Sequence, residues 1–489
     1  MKKILPLCLL TFLIFTLTTN GQSITGQVVD EQQQPVAYTT IQIGTTYGVI
    51  SNIEGVFTIK IPEQASANTV SISCIGFETL EIPVSEFKGG TYVLKEKINE
   101  LDNVFITNKQ LSPTEILEEV IKNAPKNYSP QPLKETFFLR ESSNNKLIDS
   151  HFELVKSSLE TRSTLKELNK ELENLSKNAK GKSSIDFTEY YGDLYQLNNE
   201  TKLSVQKAIE LKNKEKDISG DEVNNKLIEI IKKHLQPGAT YSVRSGILPI
   251  DDSLQIDKPR TAKDEFETAS LRSGVTSLTT SLSKFYKDED LDFLTEFKRY
   301  NYTLEGYSSL NDETIYIIDF QPKKNSAKYS GKIYVNTLDF AVVKLEYNMI
   351  DGKTEHNINL KLLLGIKAVE DRIKISATYT KNEEGNYAVN FVKKQKGIYF
   401  YINRSLKFTK NKEDKDEEKR MLKVDLMAEI DDVITSELFI INKEVITTPE
   451  FNNFAENKYY KKEFIAKYDP AIWKGYNILA PVQSIKNYD

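Results

Sequence analysis

The feature that most constrains the fold is the close spacing of turn residues between residues 23 and 95. Short runs rich in β-branched and aromatic residues alternate there with polar loops. The turn signals are Pro35, Gly44, Gly48 and Gly55. Strands separated by turns at such short intervals are typical of an all-β sandwich. We therefore predict a β-sandwich, with a turn over Asn52 to Gly55 that needs a positive φ at Gly55.

The same segment resembles a known family. The resemblance rests on Gly26-Gln27-Val28-Val29-Asp30, Pro35-Val36-Ala37-Tyr38-Thr39, Ser51-Asn52-Ile53-Glu54-Gly55-Val56-Phe57 and Cys74-Ile75-Gly76-Phe77. This pattern resembles the carboxypeptidase-like regulatory domain, a transthyretin-like β-sandwich that precedes larger modules in many Gram-negative envelope proteins. The resemblance implies a place in the cell envelope and a multidomain, β-rich α+β architecture. It implies no particular reaction.

The first 21 residues read as a secretion signal. Lys2 and Lys3 precede an apolar run from Ile4 to Leu17, and the small residues Thr19 and Gly21 suit a cleavage site. The run is shorter than the ~20 residues of a spanning helix. We expect export to the periplasm, with a peripheral place at the outer membrane left open. Cleavage would leave Cys74 without an internal disulfide partner, as a small buried apolar side chain.

Composition narrows the classes of partner. The chain has 65 basic and 70 acidic residues, a formal net charge of −5. Nucleic-acid binding usually needs a basic face, so no nucleic-acid partner is expected. After the signal no apolar run is long enough for a transmembrane helix. The expected partner is an envelope protein or a lipid-like ligand.

The middle of the chain is predicted to be helical. Ser112-Pro113-Thr114-Glu115 is a capping box with proline at the first helical position. The predicted buried stripe of this helix is Ile116, Leu117, Val120, Ile121 and Ala124. Two further stripes follow, at Leu165, Leu168, Leu172 and Leu175 and at Val223, Leu227, Ile230, Ile231 and Leu235, with a third helix over Ser204 to Lys212. Two heptads are short for a coiled coil, so we favour an internal helical hairpin over an arm for a partner protein.

From about residue 295 the pattern changes to period two. The predicted strands are 315–320, 332–335, 341–347, 360–364, 373–379, 387–392, 398–402, 422–426 and 438–441. Asp351-Gly352 and Glu384-Gly385-Asn386 are predicted hairpin turns, and a helix over Asp288 to Phe297 is expected to cover one face. These features predict a large curved antiparallel sheet. Whether it is soluble or membrane-inserted stays open.

This sheet carries a second resemblance. Tyr329-Ser330-Gly331-Lys332-Ile333-Tyr334-Val335-Asn336 and Asp339-Phe340-Ala341-Val342 resemble envelope proteins whose curved sheet is similar to the LolA-like half-barrel. That resemblance implies a sheet able to hold acyl chains against a helix. The C-terminal tail is expected to pack Trp473 onto the sheet.

Motifs for known chemistry are missing from the sequence. Of His151, His234 and His356, none has a glutamate three residues later, as a zinc carboxypeptidase site would need. Gly181-Lys182-Ser183 imitates the end of a P-loop, but the required upstream glycine is Ser176. The acidic pairs Asp251-Asp252 and Asp431-Asp432 have no distinguishing spacing. We therefore assign no catalytic, cofactor-binding or metal residue and expect no cofactor. Alternation along strands leaves two faces open, so the ligand-binding residues are unknown.

These observations predict a non-enzymatic binding or adaptor protein of the cell envelope, whose curved sheet holds an apolar ligand or a partner segment. An envelope hydrolase with an unrecognised carboxylate site and a structural component of an outer-membrane assembly are the alternatives. The expected segments are a signal peptide (1–21), the sandwich (22–96), a linker strand, capped helix and first strand (97–148), a helical segment (149–236), a mixed connector with a helix (237–294) and the antiparallel sheet with its tail (295–489).

Overall fold

A computed structural model describes residues 23–488, apart from 46, 63–67, 98–110, 130, 212–226, 234, 236–237, 256–264, 288 and 412–419. The predicted secretion signal, His234 and Val223 lie outside the described residues, as do most of the predicted linker strand and of the charged loop near residue 415.

Residues 23–93 form a sandwich of two sheets. Its strands are β1 (Ser23–Val29), β2 (Thr40–Ile43), β3 (Tyr47–Ile50), β4 (Val56–Lys60), β5 (Thr69–Ser73), β6 (Leu80–Pro83) and β7 (Gly90–Val93). One sheet has the order β4-β1-β7 and the other β3-β2-β5-β6. Gly55 has a φ of 73°, as predicted, and an added Cβ there would lie 2.3 Å from the Val28 carbonyl oxygen. The predicted all-β sandwich is confirmed.

The rest of the described chain is built around one large sheet. Its helices are α1 (Pro113–Asn127), α2 (Arg162–Ala179), α3 (Thr268–Ser283), α4 (Lys361–Leu364), α5 (Thr448–Asn453) and α6 (Gln483–Lys486), with 3-10 turns at Phe285–Lys287, Glu289–Leu294, Phe297–Arg299 and Pro470–Trp473. Its strands are β8 (Leu133–Ser157), β9 (Ser183–Leu197), β10 (Glu200–Leu211), β11 (Thr240–Ser245), β12 (Leu248–Gln255), β13 (Glu265–Glu267), β14 (Tyr300–Leu310), β15 (Glu313–Pro322), β16 (Tyr329–Asn336), β17 (Val342–Met349), β18 (His356–Leu360), β19 (Ile366–Lys381), β20 (Tyr387–Lys410), β21 (Met421–Val445), β22 (Tyr459–Lys461) and β23 (Glu463–Ile465). The capping box at Ser112 is present as predicted.

In the described part of the chain this sheet has 14 strands. The main path runs β14-β15-β16-β17-β19-β20-β21-β8-β9-β10-β23, with β11, β12 and β18 attached beside it. The sheet is open, because its path ends at β14 on one side and at β23 on the other. Nearly all neighbours are antiparallel, and β8 pairs along its whole length with β21, Leu133 facing Val445 and Ser157 facing Leu422. The predicted β-rich α+β fold with a large antiparallel sheet is confirmed.

The two faces of the sheet are covered by different partners. Phe137 and Leu139 on β8 belong to one core cluster, which contains side chains of α1, α3 and the 3-10 turns. Phe138, between them, belongs to a second cluster formed with the sandwich and the C-terminal tail. A third cluster, at the far end of the long strands, joins Leu172 of α2 to Leu227 and Ile230 of a helical turn at 227–233. Each face of the sheet therefore has its own apolar core.

The middle of the chain departs from the prediction of a mainly helical segment over 149–236. Of the described residues of this segment, only α2 and the turn at 227–233 are helical, and the predicted helix over Ser204 to Lys212 is wrong because most of it lies in strand β10. Residues 204–211 include good helix formers, but pairing with β9 and β23 overrides that local preference. A bulge between Val205 and Lys207 also breaks the strand alternation that the sequence would otherwise display.

Three smaller expectations are corrected in the sheet. The strand predicted over 360–364 ends at Leu360, and residues 361–364 form the short helix α4. The helix predicted over 288–297 is a series of 3-10 turns. The predicted pairs 387–392 with 398–402 and 422–426 with 438–441 are single long strands, β20 and β21. In both strands the intervening polar residues continue the pairing, so polarity did not mark a turn.

Candidate functional site: a cavity between the sandwich and the sheet

The sandwich is fixed against one face of the large sheet by an aromatic and ionic contact. The ring of Tyr38 stacks on Phe391 of β20 with centroids 4.9 Å apart. Its hydroxyl accepts a 2.6 Å hydrogen bond from Nζ of Lys393 and donates one of 3.2 Å to Glu437 of β21. Tyr38 has a φ of 55°, which is uncommon for a residue other than glycine. The surrounding contacts therefore hold the backbone of Tyr38 in a conformation that residues other than glycine rarely adopt.

The C-terminal tail closes the opposite side of this interface. Nε1 of Trp473 donates a 2.5 Å hydrogen bond to the buried Glu189, which also pairs with Arg140 at 2.6 Å. Asn477 then bridges to the sandwich, donating to the hydroxyl of Tyr47 at 2.7 Å and accepting from the amide of Lys60 at 2.8 Å. The expectation that the tryptophan packs onto the sheet agrees with its edge-to-face contact with Phe138.

A cavity of about 560 Å³ lies between these two layers. The sandwich side contributes Ala37, Tyr38, Thr40, Gln42, Ile53, Ser73, Cys74 and Ile75. The sheet side contributes residues of β14, β15, β16, β17, β19 and β20, including Ile315, Val343, Phe391, Gln395 and four lysines. The lining therefore combines aliphatic and aromatic side chains with charged ones. We call the side formed by the sheet, which carries the four lysines, the floor of the cavity.

Three of the lysines are neutralised by carboxylates. Nζ of Lys344 lies 2.9 Å from Glu346, that of Lys381 lies 2.8 Å from Asp339, and that of Lys393 lies 3.2 Å from Glu437. Burial works to lower the pKa of Lys393, but Glu437 and Tyr38 outweigh it, so that pKa is raised. Burial and the charge of Glu437 raise the pKa of Tyr38 to about 12. At physiological pH the ammonium of Lys393 is therefore charged and the hydroxyl of Tyr38 is neutral.

Two polar groups of the floor have no such partner. Lys374 is exposed, and its ammonium makes no ion pair or hydrogen bond with any described residue. Thr378 lies four residues further along the same strand. Its Oγ1 is buried and has no hydrogen-bond partner among the described residues. Buried hydroxyl groups are nearly always hydrogen-bonded. The floor of the cavity thus offers the ammonium of Lys374 close to an apolar wall, whereas the Thr378 hydroxyl is shielded behind the cavity surface.

Cys74 lies on the sandwich wall of this cavity and is half-buried. Burial raises the pKa of its thiol. The expectation of a small side chain packed among apolar residues agrees with its contact to the sandwich core. Its place on the wall was not foreseen.

The two glutamates of the cavity lining accept hydrogen bonds from neighbouring side chains. Glu346 accepts hydrogen bonds from Tyr334 at 3.0 Å and from Ser376 at 3.4 Å. Burial acts to raise its pKa, but Lys344 and these donors outweigh burial, so the pKa lies below its ordinary value. A general acid needs the opposite shift. Glu313, the other glutamate of the lining, accepts from Asn336.

The residues considered from the sequence for chemistry lie away from this cavity. His151 is exposed on β8, His356 is exposed on β18, and Gly181 forms the turn after α2 with a φ of 75°. Asp251 and Asp252 are exposed on β12. Asp431 pairs with Arg372, and Asp432 accepts from Ser143. Among the described residues, no three His, Cys, Asp or Glu side chains gather where they could hold a metal ion.

The lining residues were missed because they come from two regions far apart in sequence, 37–75 and 310–395. The useful signal was the row of lysines on otherwise apolar strands, Lys344, Lys374 and Lys393, which marks a polar sheet face. Over the described ranges, the helices are too short or too polar to span a membrane.

Comparisons with known proteins bear on the two halves of the chain differently. No curated protein matches the sequence significantly. A LolA superfamily protein from Nitrosomonas europaea is 11% identical over 69% of this chain and 97% of its own, with a TM-score of 0.19. A protein from Bacteroides fragilis described as membrane-associated and of unknown function is 9% identical over 85% of this chain and 98% of its own, with a TM-score of 0.12. At these TM-scores neither match supports a common fold, so the likeness to LolA-like sheets stays a prediction.

The N-terminal sandwich is matched by a family. The profile of the CarboxypepD_reg-like domain covers residues 24–106, which includes Tyr38, Cys74 and the rest of the sandwich wall of the cavity. The resemblance seen in the sequence is confirmed there. Residues 24–106 match the CarboxypepD_reg-like domain, and the described part of this segment packs against a large open antiparallel sheet.

Proposed function

We propose that this chain is a non-enzymatic binding protein of the cell envelope, and that the cavity between the CarboxypepD_reg-like domain and the sheet is its site. The ligand would be a small amphipathic molecule that carries an anionic group. The observation that carries this proposal is the exposed ammonium of Lys374, which pairs with no described carboxylate, on the floor of a cavity with an apolar wall.

The size of the cavity supports a small-molecule ligand. Its volume of about 560 Å³ falls within the ~300–1,000 Å³ of typical ligand sites. Such sites combine apolar walls with a few polar groups that fix orientation. Ile53, Ile75 and Leu310, which line the cavity and keep exposed surface, would contact the apolar part of the ligand.

The charges of the lining indicate the other end of the ligand. Three lysines are already paired with carboxylates, so they position the walls and add little net charge. Lys374 makes no ion pair with a described carboxylate, so its ammonium is available to a ligand. A carboxylate, sulfonate or phosphate could accept a charge-assisted hydrogen bond from it.

The adaptor function expected from the sequence is the second candidate. An extended partner segment in the same cavity could bind the same lysine through a side-chain carboxylate. In that case the CarboxypepD_reg-like domain would dock the chain to a membrane complex in the periplasm.

The test is binding of the fluorescent anion 8-anilinonaphthalene-1-sulfonate to the chain without the predicted signal. Dodecanoate, dodecanol and dodecyltrimethylammonium would then compete for the probe. We expect dodecanoate to displace it most effectively. We expect Lys374→Gln to weaken binding about tenfold, because one charge-assisted hydrogen bond is lost, and Lys374→Arg to retain most of it.

Lys367→Gln is the matched control, since it removes another lysine of β19 that does not line the cavity. Equal losses in the two Gln variants, or equal competition by all three amphiphiles, would contradict the proposal.

Native mass spectrometry of the protein isolated from its own envelope separates the two candidates. A small adduct supports the ligand site, and a bound protein chain supports the adaptor.

A further inference from the structure

A group of exposed aliphatic side chains lies at one end of the large sheet, away from the cavity. Leu362 is fully exposed, Ile247 is 93% exposed and Leu363 is 82% exposed. Ile250, Ile358 and Leu360 are also exposed. They belong to two neighbouring projections, the turn between β11 and β12 and the segment from β18 through α4. We call these two projections the apolar tips.

One arginine fixes the apolar tips to each other. Nε of Arg404 on β20 donates a 2.5 Å hydrogen bond to Oγ of Ser245, and Nη2 donates one of 3.0 Å to its carbonyl oxygen. Nη1 of the same side chain donates at 2.8 Å to the carbonyl oxygen of Leu364. The two tips are therefore held side by side rather than left to move separately.

A glycine allows α4 to approach the sheet. Gly365 has a φ of 63° and its carbonyl oxygen accepts a 2.7 Å hydrogen bond from the amide of Asn403. A Cβ at this position would lie 2.1 Å from the carbonyl oxygen of Asn403. The backbone thus turns sharply there, and the side chains of Leu362 and Leu363 project outward.

The segments that form the apolar tips carry basic side chains, while Glu429 of the neighbouring strand β21 accepts a 2.8 Å hydrogen bond from the hydroxyl of Tyr399. The ammonium of Lys361 lies 3.9 Å from the ring centre of Tyr401, and that of Lys367 lies 5.1 Å from the ring centre of Tyr399. Arg244 is exposed beside them. The segments 356–369 and 240–250 contain no aspartate or glutamate, the first acids being Asp251 and Asp252 on β12 and Glu370 on β19. Aliphatic tips with lysines and tyrosines behind them match the interfacial region of a bilayer with anionic headgroups.

We propose that the apolar tips dock the protein on the surface of a phospholipid bilayer that contains anionic headgroups. The leucines and isoleucines would enter the acyl boundary, and the lysines would contact the headgroups. The cavity begins at Lys374, eight residues along β19 from Ile366, so it would stand roughly 25 Å above that boundary at the usual rise per strand residue. A ligand in the cavity would then be held near the membrane but outside it.

The test is co-sedimentation of the full chain without the predicted signal on vesicles. Phosphatidylcholine vesicles are compared with vesicles that also contain phosphatidylglycerol. We expect binding to the anionic vesicles that weakens as salt is raised. Leu362→Ser combined with Leu363→Ser is expected to reduce it about tenfold or more, because both side chains lose their apolar contact with the lipid.

Leu338→Ser is the matched control. Leu338 is 73% exposed and lies in the turn between β16 and β17, beside Asp339, which pairs with Lys381 at the opposite end of β19. Exposed positions of this kind tolerate serine without loss of the fold. An equal loss of binding in Leu338→Ser would overturn the proposal, as would failure of the unchanged protein to bind any vesicle.

A second variant measures directly whether the apolar tips insert into the bilayer. In Leu362→Trp the new indole is expected to shift its emission to the blue on anionic vesicles and to be quenched by brominated lipids, whereas Trp473 is buried and unaffected. An unshifted, unquenched indole would overturn the proposal. So would a wild-type dimer that becomes monomeric in the double serine variant without any vesicle binding, because the apolar tips would then cover a second copy of the chain.

Discussion

Lys393 on the sheet and Tyr38 on the CarboxypepD_reg-like domain are joined by a hydrogen bond of 2.6 Å across the boundary between the two layers. The same tyrosine donates to Glu437, so three side chains from separate parts of the sequence form one network. Both lysine and glutamate are largely buried there, with side-chain exposures of 21% and 14%. The network defines one wall of the cavity and fixes how far apart its two sides stand.

Tyr38→Phe should therefore lower stability while it preserves the packing of the two layers. The ring keeps its stack on Phe391, but the hydroxyl that links Lys393 to Glu437 is lost. We expect the free energy of unfolding to fall by about 1–3 kcal/mol, measured by urea denaturation. Tyr399→Phe, which removes a hydrogen bond from the middle of β20 to Glu429 of β21, is the control and should cost less. A larger loss in the control would mean that the network adds nothing to the interface.

The same tyrosine predicts a pH dependence. Its pKa in the folded protein is about 12, chiefly because of burial, and about 10 in the unfolded chain. The unfolded state therefore releases the proton first, and the stabilising contribution is complete below pH ~10 and is lost as the pH rises towards 12. We expect stability to fall more steeply over that range in the unchanged protein than in Tyr38→Phe. Parallel stability curves would show that Tyr38 titrates normally when folded.

Arg140 and Glu189 form a buried pair, exposed by only 3% and 8%, that anchors the C-terminal tail through Trp473 and the carbonyl oxygen of Leu479. Arg140→Met should lower the free energy of unfolding by about 3–5 kcal/mol, because it leaves the glutamate charge buried without its partner. Arg140→Met combined with Glu189→Met should cost clearly less than the two single changes added together. Thermal and urea unfolding of the four proteins give the coupling. Simple additivity would contradict the assignment.

Thr378→Val separates stability from binding. Valine has nearly the same shape but removes the buried hydroxyl that has no partner, so we expect the ligand-free protein to gain about 1 kcal/mol. If the hydroxyl contacts the ligand, binding of the fluorescent probe should weaken in the same variant. Thr380→Val is the neighbouring control; its hydroxyl accepts a 3.1 Å hydrogen bond from Lys443, so it should lose stability. A Thr378→Val protein that is less stable would show that the hydroxyl is satisfied.

The alkylation rate of Cys74 measures the occupancy of the cavity without any substitution. Because burial raises the pKa of its thiol, alkylation by N-ethylmaleimide should be slow at neutral pH and faster at higher pH. A ligand in the cavity should slow it further, in proportion to its occupancy. Mass spectrometry of the labelled chain gives the rate. A rate unchanged by saturating ligand would place the ligand elsewhere.

Local signals predicted several elements correctly. The capping box at Ser112 and the turn at Gly55 each depend on residues a few positions apart, so they could be recognised from the sequence alone. The error over residues 204–212 has a physical origin: Gln206, Lys207 and Ala208 favour a helix, and only pairing with β9 and β23 makes them a strand.

The cavity could not be predicted in this way. Tyr38 and Lys393 meet only because the sandwich docks on one particular face of the sheet, and alternation along β20 is compatible with either face. The same holds for Trp473 and Glu189, which lie far apart in sequence.

The pairing of β8 with β21 also determines the order in which this protein can be assembled. β9 follows β8 closely in the chain, whereas β21 begins only at Met421. β8 is a strand of 25 residues, and during synthesis the edge that pairs with β21 stays unpaired until β21 has been made. Unpaired backbone amides and carbonyls at such an edge promote association with other chains. The N-terminal sandwich needs no distant strand and can form early. The large sheet, and with it the cavity, is completed only when the last part of the chain arrives.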